Sequence, residues 1–166
     1  MLADLRELVW KLIIAGAEEV AVAVQSLTGH MTAGQRERFE DKLCRYVRKP
    51  DRDLIIALGA KGVVGFYTVI EQDDLPPATS EEKRARLKRF ACCTGLLVHP
   101  DWRRQGIGAS LHRRGEQWAR ARNKPGLWLS TRRHADWYRR HFGYEEVGRV
   151  MVKGIERTIM AKTFEV

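Results

Sequence analysis

The chain has 166 residues and a mass of 19.1 kDa, with 44% hydrophobic and 31% charged residues and a mean hydropathy of -0.40, which fits one ordinary globular domain and excludes disordered and fibrous classes. The longest apolar stretch, Leu12 to Val24, is broken by Glu18 and Glu19 and falls short of the roughly 20 residues of a membrane span. The net charge of +9 is lopsided: residues 1–83 hold 11 basic and 14 acidic residues and residues 84–166 hold 19 and 7, so the second half calls for an anionic partner.

The N-terminus carries Asp4 and Glu7 and lacks a basic lead into an apolar stretch, so it does not read as a leader peptide, and a cytoplasmic protein is expected. Arg6 to Ile14 is read as a first strand, with a helix starting at Leu2 as the alternative. Gly16 to Leu27 places Val20, Ala23, Val24 and Leu27 at helical spacing behind two glutamates. Thr32 caps a second helix with the stripe Phe39, Leu43, Tyr46 and Val47, which ends before Pro50. Asp53 to Ala57 and Val63 to Ile70, split by Gly59-Ala60-Lys61-Gly62, read as an antiparallel hairpin. Gln72 to Arg89 is the one linker-like stretch, read as a mobile arm in which Thr79 and Glu82 form a capping box for a short basic helix.

Phe90 to Val98 returns to strand character, and Gly106 to Arg122 is a helix with Ile107, Leu111 and Trp118 on its apolar face and Arg113, Arg114, Glu116 and Arg120 elsewhere. Leu127 to Ser130 is a short buried strand and Arg132 to His141 a helix closed at Gly143, followed by a strand pair at Tyr144 to Val152 and Arg157 to Phe164. The odd set Cys44, Cys92 and Cys93 implies free thiols, and the two neighbours on one strand face opposite ways. His30, His112, His134 and His141 share no metal-ligand spacing, so no metal is expected.

The chemistry concentrates at His99-Pro100-Asp101-Trp102-Arg103-Arg104-Gln105-Gly106-Ile107-Gly108, between a strand and a helix. A helix start offers unpaired N–H groups and the positive end of the dipole, two glycines let a diphosphate approach the backbone, and flanking arginines add charge-assisted bonds. A tight turn with glycines kept for packing is the plain alternative. The dinucleotide fingerprint fails because Leu111 stands where its third glycine or alanine would be, and a G-K-[ST] loop is absent.

What fits is R/Q-x-x-G-x-G/A, as Arg103 to Gly108 after Leu96-Leu97-Val98-His99-Pro100, and this resembles the acyl-CoA-binding motif of the GNAT superfamily of N-acetyltransferases. A second signature resembles the family downstream, where Leu127-Trp128-Leu129-Ser130-Thr131 leads to Tyr138 and Gly143-Tyr144. Tyr138 stands five residues before the glycine where four is usual, and Thr131 replaces a frequent asparagine.

The resemblance implies an α/β (α+β) single domain over residues 1–166, with a mixed, mostly antiparallel sheet of six or seven strands and about four helices. It implies acetyl-CoA as cosubstrate, with the backbone amides of Leu96 and Val98 on the pantetheine arm and Leu97 among the cofactor-binding residues. The turn of Arg103, Arg104, Gln105, Gly106, Ile107, Gly108 and Ala109 would cradle the pyrophosphate, and the Thr131 hydroxyl would meet the arm. The activity implied is transfer of the acetyl group to a primary amine, of a small molecule or a protein, directly in a ternary complex.

Tyr138 is the expected general acid for the thiolate leaving group, a phenol with a reference pKa near 10 that is protonated at neutral pH. Packing of a half-buried aromatic is the competing role. Cys92 occupies the strand position where some family members carry a glutamate, leaving Glu71, Asp73, Asp74, His99 or a water chain as candidate bases. Arg132, Arg133, Arg139 and Arg140 are a solvated face or the recognition site of an acidic acceptor. A basic nucleic-acid-binding module and a non-catalytic CoA-binding regulatory domain stand as alternatives, and a homodimer stays open.

Overall fold

The computed structural model describes residues 11–73 and 79–165. The early part of the expected first strand, residues 6–10, and Asp4, Glu7 and Asp74 lie outside them. The described elements are β1 (Lys11–Ile14), α1 (Ala17–Leu27), α2 (Ala33–Val47), β2 (Arg52–Gly59), β3 (Gly62–Ile70), α3 (Glu81–Leu87), β4 (Ala91–Val98), a 3-10 turn (Pro100–Trp102), α4 (Ile107–Ala121), β5 (Gly126–Thr131), α5 (Ala135–Phe142), β6 (Glu145–Val152) and β7 (Ile155–Thr163). The seven strands are ordered β1-β2-β3-β4-β5-β7-β6. The fold class is therefore the expected mixed α/β one, with seven strands and five helices among the described residues.

Contacts divide the described chain into two units. One holds the residues up to Thr68 together with Gly95–Gly115, and the other holds Val69–Thr94 and Glu116 onward. The divisions fall inside β3, β4 and α4 rather than in linkers.

In the first unit β1 runs antiparallel to β2, from Lys11↔Leu58 to Ile14↔Ile55. Helix α1 opens where Glu19 accepts from the Gly16 N–H at 2.8 Å, and it buries Val20, Ala23, Val24 and Leu27. Thr32 caps α2 by accepting from the Gln35 N–H at 3.3 Å, while Gln35 accepts from the Thr32 N–H at 2.9 Å. Leu43 and Tyr46 are buried under α2, and Phe39 meets Phe66 edge-on with centroids 5.4 Å apart.

In the second unit β4 runs parallel to β5 from Ala91↔Leu127 to Cys93↔Leu129. β5 is antiparallel to β7 from Gly126↔Thr163 to Thr131↔Thr158, and β6 and β7 form a hairpin that turns at Lys153 and Gly154, both at positive φ. Leu87, Phe90, Cys92, Trp128, Val147, Ile159 and Ala161 make one buried cluster.

Three local expectations are corrected. The cap of α3 is Ser80, which accepts from the Lys83 N–H at 3.4 Å, and not Thr79, which is itself buried; with lysine at the third helical position no capping box forms. Helix α5 starts at Ala135 rather than Arg132, because the Thr131 hydroxyl accepts from the His134 N–H at 3.1 Å and holds the intervening residues in a turn. Glu116, read off the apolar face of α4, is buried. Within the stretch read as an arm, α3 is docked: Leu87 is buried, Lys83 donates to the Val147 carbonyl at 3.0 Å, and Arg86 pairs with Glu145 at 2.7 Å.

Candidate functional site

In the first unit β4 lies beside β3 in the sheet. The His99 N–H donates to the Val64 carbonyl at 2.8 Å, the Leu97 carbonyl faces Gly65, and the Thr68 hydroxyl donates to the Gly95 carbonyl at 3.5 Å, so the two strands run in opposite directions. Along such a pair, alternate residues turn both backbone groups toward the same neighbour. Leu97 and His99 face β3, which leaves the N–H and C=O groups of Leu96 and Val98 turned away from it. The Val98 carbonyl accepts from Arg103 Nε at 3.1 Å, which anchors the following loop to the strand.

The loop starts as a capped turn. His99 Nδ1 accepts from the Asp101 N–H at 3.2 Å and lies 3.9 Å from the Asp101 carboxylate, so this histidine organises the turn. Two loop residues are left-handed, Arg104 at φ 62 and Gly106 at φ 79. For Gly106 the conformation itself demands glycine, since a Cβ there would meet nothing within 4 Å. The first helical bond runs from the Ser110 N–H to the Gly106 carbonyl at 3.0 Å, so the amides of Ile107, Gly108 and Ala109 precede the intrahelical ladder. A Cβ on Gly108 would meet only Val98 Cγ2, at 3.6 Å. Arg103, Arg104 and Gln105 are exposed, whereas Ile107 is buried and pins the helix start. Bare amides, a dipole end and two arginines form a donor set that fits a diphosphate.

The second unit holds the other predicted residues. Tyr138 on α5 is buried, and its ring meets those of Trp137 at 4.9 Å, Tyr144 at 5.7 Å and Phe142 at 6.3 Å. Burial first, and the nearby Cys93 thiol second, hold its phenol well above the usual tyrosine range, so it stays protonated at physiological pH. Helix α5 ends in a left-handed glycine, Gly143 at φ 72, whose N–H bonds to the Arg139 carbonyl while the Tyr144 N–H bonds to the Tyr138 carbonyl.

Cys93 lies near Tyr138, while Cys92 turns into the Trp128 cluster with its thiol 4.0 Å from the Asp73 carboxylate. Burial, then Asp73, then Cys93 push the Cys92 thiol up. Asp73 is thus a candidate base beside the strand position in question. Glu71 is engaged elsewhere, 3.4 Å from Arg122 and 3.5 Å from Lys124. Thr131 is buried with its hydroxyl oxygen accepting from His134. On the surface of α5 Arg139 pairs with Asp136 and, at 3.7 Å, with Glu146, while Arg132, Arg133 and Arg140 are exposed.

One cluster escaped the sequence reading. Glu116 accepts from Lys162 Nζ at 2.9 and 3.1 Å and from the Tyr144 hydroxyl at 3.4 Å. The available signal was a lone charge on the buried side of α4 beside Leu111, His112 and Ala119, and a lysine inside the apolar run of β7. Among the described residues no His, Cys, Asp and Glu cluster could hold a metal ion, and no helix is long and apolar enough to cross a membrane.

The model of the acetyltransferase (GNAT) family matches residues 20–144, and the chain belongs to that family. The spermidine/spermine N-acetyltransferase SpeG from Vibrio cholerae is similar in structure at a TM-score of 0.62 and 13% identity, over 93% of this chain and 95% of that one. PaiA N-acetyltransferase from Thermoplasma acidophilum, in complex with coenzyme A, gives 0.65 and 13%, over 94% and 99%. A protein described as a streptothricin acetyltransferase from Bacillus anthracis, in complex with acetyl coenzyme A, gives 0.57 and 20%, over 74% and 68%. Identities this low establish the fold. Curated proteins give no match.

Proposed function

We propose that the protein is an N-acetyltransferase, built as one domain, that moves the acetyl group of acetyl-CoA onto a primary amine in a ternary complex. The observation that carries this is the loop at Arg103–Ala109, where a left-handed Gly106 presents the amides of Ile107, Gly108 and Ala109 beside two arginines. These groups hold the pyrophosphate, and the backbone of Leu96 and Val98, turned away from β3, holds the pantetheine arm.

Tyr138 serves as the acid. The amine nitrogen attacks the thioester carbon, the new C–N bond forms, and collapse of the tetrahedral adduct breaks the C–S bond, with Tyr138 delivering its proton to the sulfur. Asp73 takes the proton from the amine. The approach of its carboxylate to within 4.0 Å of the Cys92 thiol, at the strand position where some family members carry a glutamate, supports it as the base. The structural neighbours' acceptors, a polyamine and a streptothricin, support an amine as the acceptor here.

A thermal-shift comparison of acetyl-CoA, CoA, ATP and an oligonucleotide tests the reading, because a ligand that binds only the folded state raises the melting temperature by mass action. Stabilisation by acetyl-CoA and CoA above ATP supports it. Stabilisation by the oligonucleotide alone would favour a nucleic-acid module.

A further inference from the structure

The second unit contains a buried charged cluster that the transfer step does not use. Glu116 of α4 is 9% exposed, Lys162 of β7 grips both its oxygens at 2.9 and 3.1 Å, and Tyr144, 2% exposed, donates its hydroxyl to Glu116 Oε1 at 3.4 Å. Such a pair is a poor source of stability, since desolvation offsets most of its attraction and apolar residues of equal volume often do as well. What it supplies is a fixed anchor for the Tyr144 hydroxyl. Tyr144 in turn lies edge-on against Tyr138 with centroids 5.7 Å apart, and its N–H bonds to the Tyr138 carbonyl at 3.4 Å. Lys162 also lies 5.9 Å from the centre of the Tyr144 ring, so that ring is held from its hydroxyl, its face and its backbone.

We propose that Glu116 and Lys162 are positioning residues for acetyl transfer, acting through Tyr144 to hold the Tyr138 phenol where it can reach the sulfur of CoA. The inference rests on Tyr138 being the acid. It follows because Tyr144, which packs edge-on against the Tyr138 ring, is tied by its hydroxyl to a charge that is itself immobilised. A donor misplaced by about 1 Å loses most of its effect on a reacting atom. Burial, and after it the Glu116 carboxylate, also push the Tyr144 phenol up, which keeps it a donor to the carboxylate.

The test compares the affinities of CoA and desulfo-CoA, in which hydrogen replaces the thiol, by calorimetry. No amine acceptor is needed. Sulfur is a weak acceptor, so a placed Tyr138 hydroxyl favours CoA by about threefold in the parent protein, and Tyr138→Phe brings the ratio to unity. Tyr144→Phe and Glu116→Gln lower the ratio most of the way, and Tyr144→Phe adds nothing in a Tyr138→Phe background. A cluster with a purely structural role weakens both ligands equally and leaves the ratio alone. A ratio retained in Tyr144→Phe and Glu116→Gln, but lost in Tyr138→Phe, overturns the inference and leaves the acid reading intact. A ratio of unity in the parent, unchanged by Tyr138→Phe, overturns the acid reading and this inference with it. Should Glu116→Gln fail to fold, Tyr144→Phe carries the test, since it removes one oxygen and no charge.

Discussion

Replacing Gly108 by glutamate separates stability from binding, because the two respond with opposite signs. Gly108 is a second-position residue of α4, its φ is not left-handed, and a Cβ there makes only an ordinary contact with Val98 Cγ2 at 3.6 Å. Without ligand the variant gains: leaving glycine raises helix propensity by about half a kcal/mol, and a carboxylate in the first turn of a helix adds about 0.3–1 kcal/mol. A gain near 1 kcal/mol raises the melting temperature by about 2–4 °C in a chain of this size. With acetyl-CoA the same carboxylate faces the pyrophosphate at about 4 Å, where each pair of like charges costs between about 1 kcal/mol in water and 4 kcal/mol near a protein surface. A penalty near 3 kcal/mol weakens binding by about two orders of magnitude. Thermal melts give the first number and calorimetry with acetyl-CoA the second. A folded Gly108→Glu variant that bound acetyl-CoA as tightly as its parent would refute the placement of the pyrophosphate.

Tyr138→Phe keeps the ring and its packing, so the apparent KM for acetyl-CoA holds while kcat falls by at least about tenfold; a change in KM alone would make Tyr138 a wall of the thioester pocket. Gly115→Ala drives a Cβ into the Tyr67 ring inside the first unit and destabilises the protein by about 1–3 kcal/mol, read as a drop in melting temperature. Cys92 and Cys93 are buried, and the Cys92 thiol is pushed up, so a thiol reagent titrates only the half-exposed Cys44 in the native protein and all three cysteines in denaturant. Any binding of an oligonucleotide is weak and disappears at physiological salt, because exposed arginines such as Arg132, Arg133 and Arg140 offer only phosphate neutralisation; an affinity insensitive to salt would contradict this.

What could be read from the sequence was whatever local rules decide. The Thr32 cap and the stripe of α2, the hairpin glycines, the αL Gly143 and the G-x-G turn all act within a few residues, and the elements formed there, the start of α5 apart, within a residue or two of the reading. Two adjacent hydroxyl residues, Thr79 and Ser80, were equally able to cap α3, and tertiary burial of Thr79 chose between them. The start of α5 shifted for a similar reason, since Thr131 could close a turn as readily as end a strand. The Glu116 cluster was beyond local rules altogether: Lys162 is 46 residues and Tyr144 28 residues from the carboxylate they meet. The same holds for Asp73, which reaches Cys92 across 19 residues and was only one of several carboxylates in the sequence.

Release of the CoA thiol alongside product mass, for a panel of spermidine, a streptothricin, free amino acids and a lysine peptide, tests most directly whether acetyl-CoA is consumed in acetylating an amine. At least one of these is expected to gain an acetyl group on nitrogen with stoichiometric thiol release, and Gly108→Glu lowers both signals at limiting acetyl-CoA. Acetyl-CoA that neither binds nor turns over with any member of the panel, in a protein that is folded and melts cooperatively, would contradict it.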